Sequence, residues 1–206
     1  INRSRRNCRP KNHCRPSERS KRTITKVRII SGQNRGLRLT SLGSGDSGVN
    51  LRPTTDRVRE SLFNILQNRL DFDGLVVLDL FAGTGALGLE AISRGAEYVT
   101  FVEKSRFSQD IIKKNIELIG CSQRCNLLTQ DATKLSPGRP CDLVFLDPPY
   151  GKGLGEIALG SAVAKGWILP GTLIVFEEST TSNPDGFHVE TTRKFGGSTI
   201  TLLTSI

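Results

Sequence analysis

The stretch Val76-Val77-Leu78-Asp79-Leu80-Phe81-Ala82-Gly83-Thr84-Gly85-Ala86-Leu87-Gly88 constrains the fold more than any other. Leu75 to Leu80 is an apolar run of the length expected for a strand buried on both faces. Glycines follow at Gly83, Gly85 and Gly88, and from Ala86 to Arg94 the residues Leu87, Ala91 and Ile92 recur on one side of a helix. Strand, tight turn and helix in that order open a doubly wound α/β sheet, whose ligands bind at the carboxyl ends of its strands. The glycines also fit G-x-G-x-x-G, which leaves two cofactors open. A dinucleotide would set its pyrophosphate at the helix N-terminus, where the Asp79 carboxylate just ahead of the turn opposes it. The ammonium and sulfonium groups of S-adenosylmethionine would be favoured by that carboxylate. A turn that only packs helix on strand is the third reading.

The chain beyond the turn keeps to the alternating pattern. Tyr98 to Val102 reads as a second strand ending at Glu103, which stands 20 residues after Gly83. An acid at that distance can accept the ribose hydroxyls of an adenosine, under either cofactor reading. Ser105 to Ile119 reads as a helix with Ile111, Ile112, Asn115, Ile116 and Ile119 facing inward. Cys125 to Gln130 is a third strand, followed by Asp131 and Ala132, with Asp131 placed to bond an adenine amino group. Asp142 to Leu146 is a fourth strand and leads into Asp147-Pro148-Pro149-Tyr150. Two consecutive prolines fix an extended backbone and remove two N–H donors. The Asp147 carboxylate and the Pro148 carbonyl are then left as outward acceptors, and the Tyr150 ring can stack a base. An exocyclic amine requires that combination. Gly155 to Lys165 reads as a helix, with Trp167 after it as a packing residue. Gly171 to Glu177 is a fifth strand, and Phe187 to Phe195 with Thr199 to Thr204 is a terminal pair joined through Gly196-Gly197.

Ahead of the glycine strand, Val27 to Ile30 and Leu37 to Thr40 read as a small hairpin with a basic turn. Val58, Leu62, Ile65 and Leu66 mark one face of an amphipathic helix that Thr55 or Asp56 can cap. Arg52, Arg57 and Arg59 lie at its entry, as a solvated face or as contacts to cofactor or RNA. Of the 29 Lys and Arg residues ten lie in residues 1–26, against Glu18 alone of the 20 acids, so the remaining charges cancel. The formal charge of +9 is therefore concentrated in a basic leader expected to be flexible. It reads either as an electrostatic arm for a polyanion or as a solvated extension. Five cysteines, an odd number without recurrent spacing, point to free thiols in a reducing compartment. Neither Cys8 and Cys14 with His13 nor Cys121 with Cys125 has zinc-site spacing, so no metal is expected. No apolar run is long enough for a membrane span.

Asp79-Leu80-Phe81-Ala82-Gly83-Thr84-Gly85, Glu103, Asp131-Ala132 and Asp147-Pro148-Pro149-Tyr150, in this order, resemble the class I methyltransferases that act on exocyclic amines. Arg52-Pro53-Thr54-Thr55-Asp56-Arg57-Val58-Arg59-Glu60-Ser61-Leu62-Phe63-Asn64, preceded by Val27-Arg28-Ile29-Ile30-Ser31-Gly32, is similar to the RsmD family. Those are bacterial enzymes that methylate guanine N2 in 16S ribosomal RNA. The resemblance covers about residues 27–204. The leader departs from it, and the Asp-Pro-Pro-Tyr loop is shared with DNA adenine methyltransferases. It implies an α/β, Rossmann-like, seven-stranded sheet of order 3-2-1-4-5-7-6, with strand 7 antiparallel, helices on both faces and a small N-terminal hairpin. The domain limits expected are leader 1–26, hairpin and loop 27–50, and methyltransferase domain 51–206. The resemblance implies that Asp79, Ala82, Gly83, Gly85, Glu103, Asp131 and Ala132 hold S-adenosylmethionine, with Arg52 and Thr54 near it. Asp147, Pro148 and Tyr150 would act on the base. The implied partner is 16S ribosomal RNA or the assembling 30S subunit, met in the cytoplasm, and a monomer is expected because no exposed apolar stripe stands out in the sequence. A DNA adenine N6 methyltransferase, a nucleotide-dependent oxidoreductase and a non-catalytic RNA-binding assembly factor are the other readings.

Overall fold

A computed structural model describes residues 27–41 and 55–206, so the basic leader, Arg52 and Thr54 lie outside the described residues. The order of elements is α1 (Asp56–Gln67), β1 (Val76–Leu80), α2 (Ala86–Arg94), β2 (Tyr98–Val102), α3 (Arg106–Ile119), β3 (Cys125–Leu128), β4 (Leu143–Leu146), α4 (Leu154–Ala164), β5 (Leu173–Glu178), β6 (Phe187–Phe195) and β7 (Ser198–Ser205). The strands form one sheet in the order β3-β2-β1-β4-β5-β7-β6. Pairs among β1 to β5 are parallel, and β7 runs antiparallel to both β5 and β6. The expected topology is found. Element bounds fall within a few residues of expectation: β3 stops at Leu128 rather than Gln130, and β5 runs on to Glu178.

Alternation along the strands divides the core into two layers. Val77, Phe145 and Val175 face one side of the sheet, with Leu62, Phe63, Leu66, Leu89, Ile92 and Ile112 from α1, α2 and α3. Leu78, Leu80, Val144, Leu146, Ile174 and Phe176 face the other, with Ala158, Leu159 and Trp167. Trp167 packs as expected, and its Nε1 donates to the Ser136 carbonyl at 2.8 Å. A groove of about 680 Å³ beside α4 is lined by Val163, Leu169 and Phe187, at the amino ends of the strands and away from every candidate residue.

Thr55 caps α1 by accepting the Val58 N–H, one of the two caps expected. The N-terminal hairpin consists of a single antiparallel bridge, Arg28 with Arg38, and its apolar residues Val27, Ile29 and Leu39 belong to the α1 layer of the core. Polar groups lock it down. Buried Glu90 on α2 accepts the Ile30 and Ser31 N–H groups at 2.7 and 3.0 Å and pairs with Arg94 at 2.7 Å. A Cβ on Gly32 would lie 1.8 Å from the Ser93 carbonyl oxygen, so only glycine permits this approach.

Arg59 requires a correction. Neither a solvated face nor a ligand contact describes it, because it is 1% exposed, with its Nη2 donating to the Arg28 carbonyl and to Asp56. Burial lowers its pKa, against the pull of Asp56. It joins hairpin to helix. The Cys121 and Cys125 sulfurs lie 3.4 Å apart. Among the described residues no group of three or more His, Cys, Asp or Glu is arranged to hold a metal ion, and no helix is long and apolar enough to cross a membrane.

Candidate active site

The turn after β1 is made largely of backbone. Phe81 leaves the strand at φ 59, the only non-glycine with positive φ among the described residues. A bulky residue in that region costs about 1–3 kcal/mol and persists only where its surroundings enforce it. The Ala82 N–H donates to the Val102 carbonyl, and the Ala82 carbonyl accepts from Gly85 at 2.7 Å. Gly85, at φ 76, starts α2. The three glycines do different work. A Cβ on Gly88 would stand 2.4 Å from the Phe101 ring and 2.8 Å from Val99, so Gly88 lets α2 lie against β2. A Cβ on Gly85 would meet the same ring at 3.3 Å, whereas one on Gly83 would have only the Phe81 carbonyl, at 3.9 Å. The outer wall of the turn at Gly83 is thus open to a ligand.

Side chains from neighbouring elements hold the turn. Glu103, at the end of β2, accepts the Gly83 N–H at 2.9 Å and the Ser105 N–H at 2.7 Å. Asn115 on α3 donates to the Thr84 carbonyl at 3.0 Å and exchanges bonds with both backbone groups of Thr40. The second arm of the hairpin is therefore tied to the glycine turn through one fully buried amide. Asp131 accepts from the Thr133 N–H and hydroxyl and from Lys104, and the Thr133 bonds hold its pKa below the usual carboxylate range. Ala132 is buried in the α4 layer.

Asp79 is 2% exposed, and its Oδ2 accepts the Gly88 N–H at 3.0 Å. Burial pushes its pKa up to about 8, the Gly88 bond opposes this, and the Glu103 charge adds to it. Asp147 follows β4, one residue past the Leu146–Phe176 pair, which sets it beside Glu177 of β5. Alternation puts Asp79 and Glu177 on the α1 face of β1 and β5, and Asp147 follows β4, the strand between them. The Asp147 pKa stands well above the usual carboxylate range, first through loss of water, then through the charges of Glu177, Asp79 and Glu178.

The loop after Asp147 is anchored from β5. The Tyr150 hydroxyl donates to Glu177 at 2.7 Å, and the Gly151 N–H donates to Glu178 at 3.1 Å. Burial and the Glu177 bond raise the Tyr150 pKa, so it stays a neutral phenol. Pro148 is buried while Tyr150 keeps 37% of its surface exposed. The fold thus gathers Asp79, Ala82, Gly83, Gly85, Glu103, Asp131, Asp147 and Tyr150 at the carboxyl edge of the sheet. Glu177, Glu178 and Asn115 join them, and their roles did not emerge from the sequence. Two acids ending a strand in register with Asp147 were the available signal.

The residues present fit S-adenosylmethionine better than a dinucleotide. Asp79 takes the Gly88 N–H in the first turn of α2, the end of the helix at which a dinucleotide would set its pyrophosphate. Carboxylates at Asp79, Glu103 and Asp131 suit an ammonium and ribose hydroxyls, and the open wall at Gly83 leaves the cofactor room.

The family model described as Conserved hypothetical protein 95 matches residues 27–204. Ribosomal RNA small subunit methyltransferase D of Haemophilus influenzae is 40% identical over 156 residues, which are 73% of this chain and 78% of that protein. The protein of the same name from Escherichia coli K12 is 41% identical over 152 residues, 73% of this chain and 74% of that one. The solved structure described as putative methyltransferase yhhF from Escherichia coli superimposes with a TM-score of 0.75 at 34% identity, over 87% of this chain and 98% of that chain.

Proposed function

This chain belongs to the Conserved hypothetical protein 95 family, the RsmD family of its sequence resemblance, and is a ribosomal RNA methyltransferase dependent on S-adenosylmethionine; on that premise we propose that it methylates the exocyclic N2 of a guanine in 16S ribosomal RNA. The observation that carries this reading is the place of Asp147. It follows β4, which pairs directly with β1, so an acceptor for an amine stands one strand from the cofactor turn.

Asp79, Gly83, Glu103 and Asp131, with Ala82, Gly85 and Ala132 shaping the wall, hold the cofactor. Arg52 and Thr54 belong to the same reading. S-adenosylmethionine, when bound, supplies an electrophilic methyl group on a sulfonium. The guanine N2 lone pair is delocalised into the ring and is a poor nucleophile. An N2–H accepted at Asp147 and at the Pro148 carbonyl favours a pyramidal nitrogen and stabilises the positive charge that develops on it. That nitrogen must also shed a proton, and Asp147 binds protons more tightly than a solvated carboxylate. The half-exposed Tyr150 ring offers a stacking surface for a base taken out of its own stack. Its tether to Glu177 fixes the ring before the base arrives, and holding the reactants in place accounts for much of the remaining acceleration.

The target is met as 16S RNA or within the assembling 30S subunit, in the cytoplasm. Every group this reading uses belongs to one copy of the chain, in keeping with action as a monomer. The test is transfer of tritium from S-adenosylmethionine to naked 16S RNA, to small subunits and to duplex DNA, each followed by nucleoside digestion. Label in N2-methylguanosine is expected. Label in N6-methyladenosine, or no label, contradicts the reading.

A further inference from the structure

We infer that Glu177 is the residue that specifies guanine, by accepting the N1–H that lies beside the amine accepted by Asp147. The inference rests on the guanine N2 reading above and adds the group that chooses the base.

The Asp-Pro-Pro-Tyr loop cannot choose by itself. Its acceptors take an exocyclic amine, and adenine N6 presents one as well as guanine N2 does. The two bases differ at the adjoining ring position. Guanine carries a donor at N1, next to its donor at N2, whereas adenine N1 is an acceptor. A site that takes guanine alone therefore needs a second acceptor alongside the first.

The fold supplies it. Asp147 comes directly after Leu146, which pairs with Phe176, so it stands next to Glu177 at the ends of parallel β4 and β5, strands about 4.8 Å apart, and near enough for the Glu177 charge to act on it. Glu177 is 6% exposed and fixed through its Oε1 by the Tyr150 hydroxyl, which belongs to the ring on which a base would stack. A carboxylate has about four acceptor positions and can serve several donors at once. Two like charges are costly in this place, as the upward push of Glu177 on the Asp147 carboxyl shows. A donor–donor base edge relieves that repulsion, and an adenine N1 lone pair adds to it. A residue needed only to tether Tyr150 could be a neutral acceptor without this cost.

The test uses 16S RNA joined from synthetic and transcribed pieces, with the mapped target guanine retained or replaced by 2-aminopurine. That analogue keeps the exocyclic amine and turns N1 into an acceptor. The wild-type enzyme is expected to prefer guanine by about 100-fold or more in kcat/KM, as sites built to bond a substrate N–H reject the analogue lacking it. Glu177→Gln, whose amide can donate to the N1 lone pair, is expected to bring the two substrates within about fivefold. Tyr150→Phe is expected to slow both alike and leave the preference intact. Each preference is a ratio within one preparation, so loss of folded enzyme does not alter it, and the wild-type ratio decides where a variant is inactive. A wild-type enzyme that uses both bases equally, or a Glu177→Gln enzyme that keeps the full preference, overturns the inference alone. Absence of methylation at guanine removes the underlying reading with it.

Discussion

The turn after β1 and the acid row beside it lie at the same sheet edge and are built on opposite principles. From Phe81 to Gly88 the structure is main chain. Its shape depends on a positive φ at Phe81, on backbone donors, and on the absence of a Cβ where α2 meets Phe101. Asp79, Asp147 and Glu177 form a row of carboxyl side chains at the ends of three strands, where ionising Asp79 and Asp147 is costly in the ligand-free protein. The comparison teaches where each half of the site is vulnerable. Added volume damages the turn, and a change of proton occupancy alters the row.

The largest effect expected of this difference is on stability against pH. The Asp79 pKa is about 8 in the folded protein and near 4 in the unfolded chain, so the folded state keeps a proton that the unfolded state has released. Stability from this group is complete below pH 4, falls as pH rises, and is lost once pH passes 8. At about 1.4 kcal/mol for each pKa unit, the loss is on the order of 5 kcal/mol. Thermal unfolding of the ligand-free protein from pH 4 to 9 should show it, and Asp79→Asn should make the slope shallower, the part that remains coming from the Asp147 carboxyl, whose pKa is raised as well. A variant with the wild-type slope would shift the effect to other groups.

Next in size is overpacking at the turn. Gly88→Val should destabilise the fold by about 3 kcal/mol, since even a Cβ lies within 2.4 Å of the Phe101 ring. Urea denaturation measures this, and Gly83→Ala is the contrast. It meets no neighbour closer than 3.9 Å and should cost only about 1 kcal/mol, from its positive φ, while weakening cofactor binding. Equal losses at the two glycines would erase the distinction drawn between them.

The smallest effect is at the tether between loop and row. Tyr150→Phe removes one hydrogen bond to a carboxylate, and transfer should slow by about tenfold while the affinity for S-adenosylmethionine holds. Steady-state kinetics with a parallel binding titration would show it, and a matching loss of cofactor affinity would place Tyr150 on the wrong side of the comparison.

What the sequence made legible follows the same division. The turn is contiguous and its physics is local, so strand, glycines and helix could be read from Val76 to Arg94 almost residue for residue. The Asp-Pro-Pro-Tyr loop was legible because two prolines leave the backbone little choice. The partners that hold these pieces come from far along the chain. Glu177 lies 27 residues beyond Tyr150, and Asn115 lies 31 beyond Thr84. Arg59 misled for the same reason. An arginine near a helix start reads as solvated, and the Arg28 carbonyl, delivered by the docked hairpin, helps Asp56 to make its burial tolerable. Glu90, inside an amphipathic helix, gave no sign that it would receive two backbone N–H groups of that hairpin.

The central claim is that the turn holds the methyl donor while Asp147 acts on the amine that receives it. Asp147→Ala tests this most directly when cofactor affinity and methyl transfer to 16S RNA are measured on the same preparation. The account predicts transfer lowered by about a thousandfold, the scale of losing an acceptor aimed at developing charge, with affinity for S-adenosylmethionine within about threefold of wild type. Transfer at the wild-type rate, or a loss of affinity that matches the loss of transfer, would contradict it.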